Sequence, residues 1–387
     1  MQLLEPNIQN YHWGSQSFLS DLQGRAPTQD PEAELWMSAH PKSPSRILNS
    51  EETLKEIIDK APNETLGPQA KNFHNELPFI MKILAIETPL SLQVHPSEEQ
   101  AEAGYKRETQ SDQPHNDLEL SYSSPRGKEE IVCALTEFHT KFGFRDIETI
   151  RKILSISDEP EFVEIRKTLT KETLGEDKIT DAISQILAYD SQQIQRMTQV
   201  IIDAWDITTG MSETEMQYFA QLAEMYPSDP GVVISVLLNF VTLNPGEAFY
   251  VPPGMVHVYL KGNAVEITSN SDNVLRCGLT TKHIDTEEFL SVANFTPQSP
   301  IIQDPESSNH SYESPTEFTL SRLAVDTEWE TTLIGPEMLI STQGSFRIRD
   351  LKGETIYVDQ GAAVWVPFSD GGYTISGQAL IFRCSVI

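Results

Sequence analysis

Cysteine is scarce in this 387-residue sequence, and no part of it is a long apolar run. The three cysteines, Cys133, Cys277 and Cys384, show no CxxC spacing, which is typical of reduced thiols rather than of a disulfide framework. No stretch approaches the ~20 consecutive apolar residues that a membrane helix requires. The first ten residues contain neither a basic region nor an apolar run, so the sequence predicts no signal peptide. We therefore expect a cytoplasmic protein without a membrane span.

Positive charge is also in short supply. The chain has 28 Lys and Arg against 57 Asp and Glu, which leaves a formal net charge of −29. A field of that sign repels nucleic acid and anionic membranes, so we expect neither as a partner. An anionic substrate would need a local cluster of basic side chains. The length predicts two or three domains. The sequence leaves the oligomeric state open, with a monomer slightly favoured.

The pattern of apolar residues divides the chain into three parts. Residues 146–236 carry apolar residues at spacings of three and four, which predicts helices at 147–154, 161–169, 179–189, 192–204 and 213–226, closed by Pro227 and Pro230. Residues 104–129 are polar and predict a loop. Residues 316–387 predict many short strands separated by glycines that include Gly344 and Gly377. The predicted fold is therefore mainly β with a helical insertion.

The stretch from Gly246 to Lys282 carries the most distinctive spacing. Gly246, Pro252, Gly254 and His257 follow one another at intervals of six, two and three residues. Pro252-Pro253-Gly254 predicts a tight turn, and His257 lies on a predicted strand at 256–260. A second strand at 264–268 places Glu266 on the face opposite its apolar neighbours. A buried Glu beside a His is costly unless a metal or another partner compensates for it.

This spacing resembles the second conserved motif of the cupins, small β-barrel proteins that hold a metal in the barrel mouth. The match is incomplete, because Lys261 stands where cupins usually have Asn. The pattern Gly361 to Pro367 repeats the pattern Gly246 to Pro252, which predicts a second, degenerate barrel at the C-terminus. No His follows His310, so we expect the second barrel to bind no metal of this kind.

Two earlier stretches supply further potential ligands. In LSLQVHP at 90–96, strand alternation places Ser91, Gln93 and His95 on one face. Glu130 stands at the entrance to a predicted buried strand, where it is either an edge charge or a ligand delivered into the barrel. Each of these residues alone fits an ordinary structural role, and Glu266 alone fits a salt bridge. Their combination favours a metal site.

Several short motifs, in the same order along the chain, resemble those of the type I mannose-6-phosphate isomerases, which are zinc enzymes with a cupin core. The motifs are AELWM at 33–37, LSLQVHP at 90–96, the KxE strand entry at 128–130, LNPGEAFYVPPGMVH at 243–257 and SDNVLRCGLTTK at 271–282. The resemblance covers the whole chain. It implies a discontinuous catalytic cupin (jelly-roll) domain at 1–145 and 237–300, a helical domain at 146–236 and a cupin-like β domain at 301–387.

The resemblance also implies one Zn²⁺ per chain. The family's four ligands fall on Gln93, His95, Glu130 and His257. Lys128-Glu129-Glu130 departs from the family's usual Lys-Pro-Glu, so Glu129 is a rival ligand one residue away. Fe²⁺ or Mn²⁺ could bind the same donors, so zinc is inferred mainly from the resemblance.

The remaining site residues are implied in the same way. The catalytic candidates are Arg276, Glu266, Lys128 and Asp272, and the candidates beside the sugar phosphate are Lys82, Ser91 and Lys282. The implied reaction interconverts mannose 6-phosphate and fructose 6-phosphate through an enediol. The base that moves the proton is open between Glu266, Lys128 and a metal-bound water, and Asp272 is a candidate for opening the sugar ring. The basic candidates meet the requirement for a local cationic cluster.

Two other functions compete with this one. A different cupin enzyme, such as an iron dioxygenase, usually has two histidines in its first motif, whereas Gln93 occupies one of those places here. A cupin that only binds or regulates would lack a ligand or Arg276, and neither is missing.

Overall fold

A computed structural model describes residues 1–110, 120–172, 174–206, 209–305 and 307–386. In chain order, the strands are β1 (Gln2–Glu5), β2 (Asn7–Gln9), β3 (Glu34–Met37), β4 (Arg46–Ile47), β5 (Phe79–Ile86), β6 (Leu92–Val94), β7 (Glu130–Ala134), β8 (Phe138–Phe144), β9 (Leu238–Leu243), β10 (Ala248–Val251), β11 (His257–Ser269), β12 (Leu275–Gly278), β13 (Asn309–Ser311), β14 (Phe318–Val325), β15 (Trp329–Thr332), β16 (Glu337–Asp350), β17 (Thr355–Val358), β18 (Ala363–Val366) and β19 (Gly372–Val386).

The helices are α1 (Phe18–Leu22), α2 (Leu54–Lys60), α3 (Pro62–Leu66), α4 (Glu98–Thr109), α5 (Ile147–Leu154), α6 (Pro160–Thr168), α7 (Gly175–Leu187), α8 (Ser191–Ala204), α9 (Glu213–Met225), α10 (Pro230–Ser235) and α11 (Thr286–Val292). More residues lie in strands than in helices. The fold is thus mixed α/β, with two antiparallel sheets and a central helical segment. In the described ranges, no helix combines the length and the apolar character that crossing a membrane would require.

The first sheet is organised around β11. The C-terminal half of β11 pairs with β5 and β7, and its N-terminal half pairs with β6 and β8. The sequence predicted two separate strands here, which is wrong, because a single strand runs from His257 to Ser269. Gly262 takes a φ of +124° inside it and lies against the backbone of Glu137, so the strand changes partners without ending.

The helical segment lies between β8 and β9. Five predicted helices are confirmed, with shifted ends, as α5 to α9. The prediction that Pro230 closes the set is wrong, because Pro230 begins α10. Proline is tolerated at the first helical position, where its missing N–H has no intrahelical partner. The predicted loop at 104–129 is wrong up to Thr109, where α4 ends, and residues 111–119 lie outside the described ranges.

The second sheet has the order β13-β14-β19-β16-β18-β1-β4, so the N-terminal strand β1 joins it. The prediction of many short strands is wrong for β16 and β19, which have 14 and 15 residues. Gly344 and Gly377 lie inside these strands with φ values of +69° and +142°, where the sequence predicted turns. One apolar cluster, which includes Met81, Ile131 and Trp365, fills the space between the two sheets.

Candidate active site and metal centre

Three buried side chains meet at one point: Glu130 and His257 lie on β7 and β11, and His95 follows the last residue of β6. The ligand atoms of His95, Glu130 and His257 all lie within 4.8 Å of one another. His95 Nε2 is 3.1 Å from Glu130 Oε1, and His257 Nε2 is 3.8 Å from Glu130 Oε2. Val94 and Val258, the chain neighbours of His95 and His257, lie in the apolar core, so the two imidazoles point to the opposite side of the sheet. These three residues therefore form a metal site.

Backbone carbonyl groups fix the orientation of both imidazoles. His95 Nδ1 donates to the carbonyl of Asn273 and His257 Nδ1 donates to that of Met255, each at 2.9 Å. Burial, and then the charge of Lys128, lowers the pKa of His95 to about 3, and burial also lowers the pKa of His257. Both rings are therefore neutral at pH 7, and their Nε2 lone pairs face the Glu130 carboxylate. Converging acceptors of this kind fit a divalent cation.

Gln93 lies beside the triad. Its position on β6 pairs with His257 on one side and with Arg276 on β12 on the other. Gln93 Nε2 is 3.4 Å from His257 Nε2, and Ser91 Oγ is 3.5 Å from Gln93 Oε1. Rotation of the amide by half a turn exchanges its oxygen and nitrogen and places an oxygen donor towards the triad. The structure therefore brings all four predicted ligands together.

Glu130, rather than its rival Glu129, belongs to this group. Glu129 directly precedes β7 and hydrogen-bonds to Tyr250, which is not among the metal-site residues. Glu130 accepts from Lys128 Nζ at 2.9 Å and from the Tyr259 hydroxyl at 2.7 Å. Burial alone would raise the pKa of Glu130, but the charge of Lys128 outweighs it and holds the pKa well below its ordinary value. The carboxylate is thus held ionised.

Tyr259 was missed by the sequence reasoning. It stands two residues after His257 on β11, so strand alternation places both on one face. The tyrosine is 1% exposed and its pKa is raised well above the ordinary value, first by burial and then by Glu130. It therefore stays protonated and donates its hydrogen bond. The period of two was the signal that could have found it.

A second row of side chains crosses the sheet next to the triad. Register pairs Trp36 with Lys82 and Lys82 with Glu266. Lys82 Nζ donates to Glu266 Oε2 at 2.9 Å and lies 5.0 Å from the centroid of the Trp36 ring. Burial, and then Glu130, raises the pKa of Glu266 to about 7 against the opposing charge of Lys82. The indole N–H of Trp36 donates to Glu34.

Gln93 and Glu130 beside the histidines, and Trp36, Lys82 and Glu266 of the second row, line a cavity of about 800 Å³. The other predicted residues, Ser91, Asp272, Arg276 and Lys282, also line it. Asp272 forms an ion pair with Lys42 at 2.7 Å, which the sequence reasoning did not anticipate. Tyr226, at the end of α9, lines the cavity as well, so the helical segment contributes to the wall.

The cavity has a charge balance unlike that of the chain. Its lining includes five basic side chains and four carboxylates: Lys42, Lys82, Lys128, Arg276 and Lys282, and Glu34, Glu130, Glu266 and Asp272. In a chain with a net charge of −29, this is a local excess of positive charge. A divalent cation at the triad would increase it, so the cavity can accept an anion.

Comparison with known proteins gives a consistent result. The family model described as "Phosphomannose isomerase type I, catalytic domain" matches residues 1–147. Mannose-6-phosphate isomerase of Salmonella typhimurium is 37% identical over 307 residues, 77% of this chain and 76% of the relative. The enzyme of the same name from Rattus norvegicus is 29% identical over 421 residues, 97% of this chain and 96% of the relative.

Solved structures agree over the full length. A crystal structure of mannose 6-phosphate isomerase bound with zinc and yttrium has a TM-score of 0.88 at 30% identity, covering 100% of this chain and 99% of that chain. A phosphomannose isomerase from Salmonella typhimurium, with one glutamate replaced by alanine, has a TM-score of 0.89 at 30% identity and the same coverage. The chain therefore belongs to the type I phosphomannose isomerases, the family of mannose-6-phosphate isomerases.

Proposed function

We propose that the chain binds one zinc ion through Gln93, His95, Glu130 and His257, and uses it to interconvert mannose 6-phosphate and fructose 6-phosphate. The observation that carries this proposal is the convergence of two imidazole lone pairs and the Glu130 carboxylate beside a cationic cavity that Glu130 and Gln93 line. Two nitrogen and two oxygen donors suit Zn²⁺. The zinc bound to a solved relative supports the same ion here.

The reaction transfers a proton between neighbouring carbons of the open-chain sugar through an enediol. A bound divalent cation supplies Lewis-acid stabilisation to the substrate oxygen that becomes negative. Arg276 lies across β6 from the triad and supports the same charge through its guanidinium. Asp272, held by Lys42 at 2.7 Å, is the proposed residue for ring opening.

Glu266 is the preferred group for proton transfer. Its carboxyl is 3% exposed and has a pKa of about 7, so both protonation states are available near neutral pH. Lys128 is the alternative, but its ammonium group contacts Glu130 at 2.9 Å and His95 at 3.3 Å. Those contacts engage it at the metal site, and its role there is to hold the Glu130 carboxylate.

The proposed phosphate contacts are Arg276, Lys282 and Ser91 in the cavity wall. Lys82 was predicted to share this role. Burial alone would lower the pKa of Lys82, but Glu266, Glu34 and Glu130 hold it above its ordinary value. A permanent charge 2.9 Å from Glu266 supports a role in setting the charge of that carboxyl, and the phosphate contact stays a prediction.

We also propose an assignment of the two sheets to barrels. The first sheet with β11 corresponds to a cupin (jelly-roll) barrel, and the second sheet to a degenerate barrel. The domain division at 1–145 with 237–300, 146–236 and 301–387 stays a prediction. A cytoplasmic location is supported by three cysteines that are all buried and unpaired.

A coupled assay of mannose 6-phosphate conversion to fructose 6-phosphate tests the function. Turnover should disappear with a strong chelator and return with added zinc. Recovery with Fe²⁺ together with oxygen consumption would favour an oxygenase instead. Metal binding without turnover on any phosphorylated sugar would favour a binding protein and contradict the proposal.

A further inference from the structure

A second cavity, of about 360 Å³, lies between the two sheets and away from the metal centre. Its wall is formed by α1, by the end of β7, by the turn at Pro245 and Gly246, and by strands of the second sheet. Strand β7 connects the two places, because Glu130 begins it and Ala134, in the cavity wall, ends it. At about 3.3 Å per residue, the two ends are about 13 Å apart. This cavity is therefore separate from the catalytic one.

Arg322 on β14 lines the second cavity. Its side chain is half-buried and forms no hydrogen bond or ion pair with any described residue, although the chain carries 57 Asp and Glu. Most half-buried arginines of the described chain are paired; Arg166 contacts Asp158, for example, and Arg383 contacts Glu337. The other half-buried arginine without an ion pair is Arg276, in the catalytic cavity.

The remainder of the wall is mostly apolar. Phe18, Leu22, Leu135, Leu380 and Phe382 line one part of the cavity, and Thr342, Gln343 and Gln360 supply polar groups. A guanidinium group presents five N–H donors in a planar fork that matches a carboxylate or phosphate. The volume is within the range of small-molecule sites. The wall thus offers one anion contact beside an apolar surface.

We propose that this cavity is a binding site for a small organic anion, in which Arg322 contacts a phosphate or carboxylate and the apolar wall covers the hydrocarbon body. The site is independent of the catalytic proposal. The apolar part of the wall favours a hydrocarbon body over the polar body of a sugar phosphate. Asp21 on α1 is an exposed carboxylate in the same wall and forms no ion pair with Arg322. The negative charge of Asp21 repels an anionic ligand and therefore lowers the affinity of the cavity for it.

Calorimetric titration of the full chain with phenyl phosphate tests the proposal. Saturating mannose 6-phosphate is present, so that the catalytic cavity is occupied. The wild-type chain should bind phenyl phosphate at one site. Arg322→Gln should weaken this binding by about tenfold or more, because it removes charge-assisted hydrogen bonds. Arg322→Lys should weaken it less, and Asp21→Asn should strengthen it. Phenylacetate in place of phenyl phosphate reports which head group is preferred.

Turnover of mannose 6-phosphate and the thermal unfolding temperature should be unchanged in all three variants, which shows that they fold. Inorganic phosphate and benzyl alcohol should each bind more weakly than phenyl phosphate, since each carries half of its contacts. No saturable binding by the wild-type chain would overturn the proposal. Equal binding by wild type and Arg322→Gln, or inorganic phosphate binding as tightly as phenyl phosphate, would also overturn it.

Discussion

The metal-free protein should lose stability on mild acidification because of His95. The imidazole is 1% exposed, and its pKa is about 3 in the folded chain against an ordinary value of 6.5. Below pH 6.5 the unfolded chain binds a proton at this residue and the folded chain does not. The stability that the neutral ring contributes is therefore complete above pH 6.5 and is lost as the pH falls towards 3.

The magnitude follows from the width of that interval. Between pH 6.5 and pH 5, each pH unit lowers the free energy of unfolding by about 1.4 kcal/mol. His95 alone should therefore lower it by about 2 kcal/mol at pH 5. His257 is shifted in the same direction by burial and adds to the loss. Protonation of His95 also removes the lone pair that would bind the metal, so acid should release zinc over the same interval.

Urea unfolding of chelator-treated protein at pH 7 and pH 5 measures the effect. The other acidic groups of the chain contribute to both measurements, so the informative quantity is the difference between wild type and His95→Gln. The wild-type chain should lose about 2 kcal/mol more than this variant between the two pH values. His283→Gln, at an exposed position, is the matched control and should behave as the wild type does. Equal losses in wild type and His95→Gln would refute the reasoning.

Three further predictions concern the catalytic cavity. Arg276→Ala should retain zinc and lose turnover, whereas His257→Ala should lose both. Metal analysis together with the coupled assay measures the two properties. Full activity in either variant would contradict the assignment. Gln93→Leu should weaken zinc binding by at least about tenfold, as measured by competition with a chromophoric chelator, since even indirect contacts to a metal contribute this much; unchanged affinity would remove Gln93 from the ligand set. Glu266→Gln should lower kcat by a factor of about 10²–10⁴. It should also abolish the rise in rate that accompanies ionisation of this carboxyl at or below about pH 7. An unchanged pH–rate profile would exclude Glu266 as the base.

Side chains that alternate on short strands could be placed from the sequence. Gln93 on β6, His95 directly after β6, and Glu266 opposite its apolar neighbours on β11 lie on the predicted faces, because extended chain has a period of two. The helices between β8 and β9 were found because their apolar stripes recur at spacings of three and four. Local periodicity was sufficient for both.

Long-range partners and strand lengths could not be placed in this way. The carbonyl groups of Asn273 and Met255 that orient the two histidines belong to the backbone and leave no sequence signal. Gly344 and Gly377 were predicted to form turns, and Gly262 falls between two strands that were predicted separately. The sequence does not distinguish a glycine with a positive φ inside a paired strand from a glycine in a turn. The pairing of β1 with β18 joins the two ends of the chain, and no local pattern indicates it.

Anomalous X-ray diffraction at the zinc absorption edge, on crystals of protein purified without added metal, tests the central claim most directly. We expect one strong peak about 2.0–2.2 Å from Nε2 of both His95 and His257 and from a carboxylate oxygen of Glu130. The amide oxygen of Gln93 should be turned towards the same peak. Fully active protein whose crystals show no metal at this position, or show it elsewhere in the chain, would contradict the account.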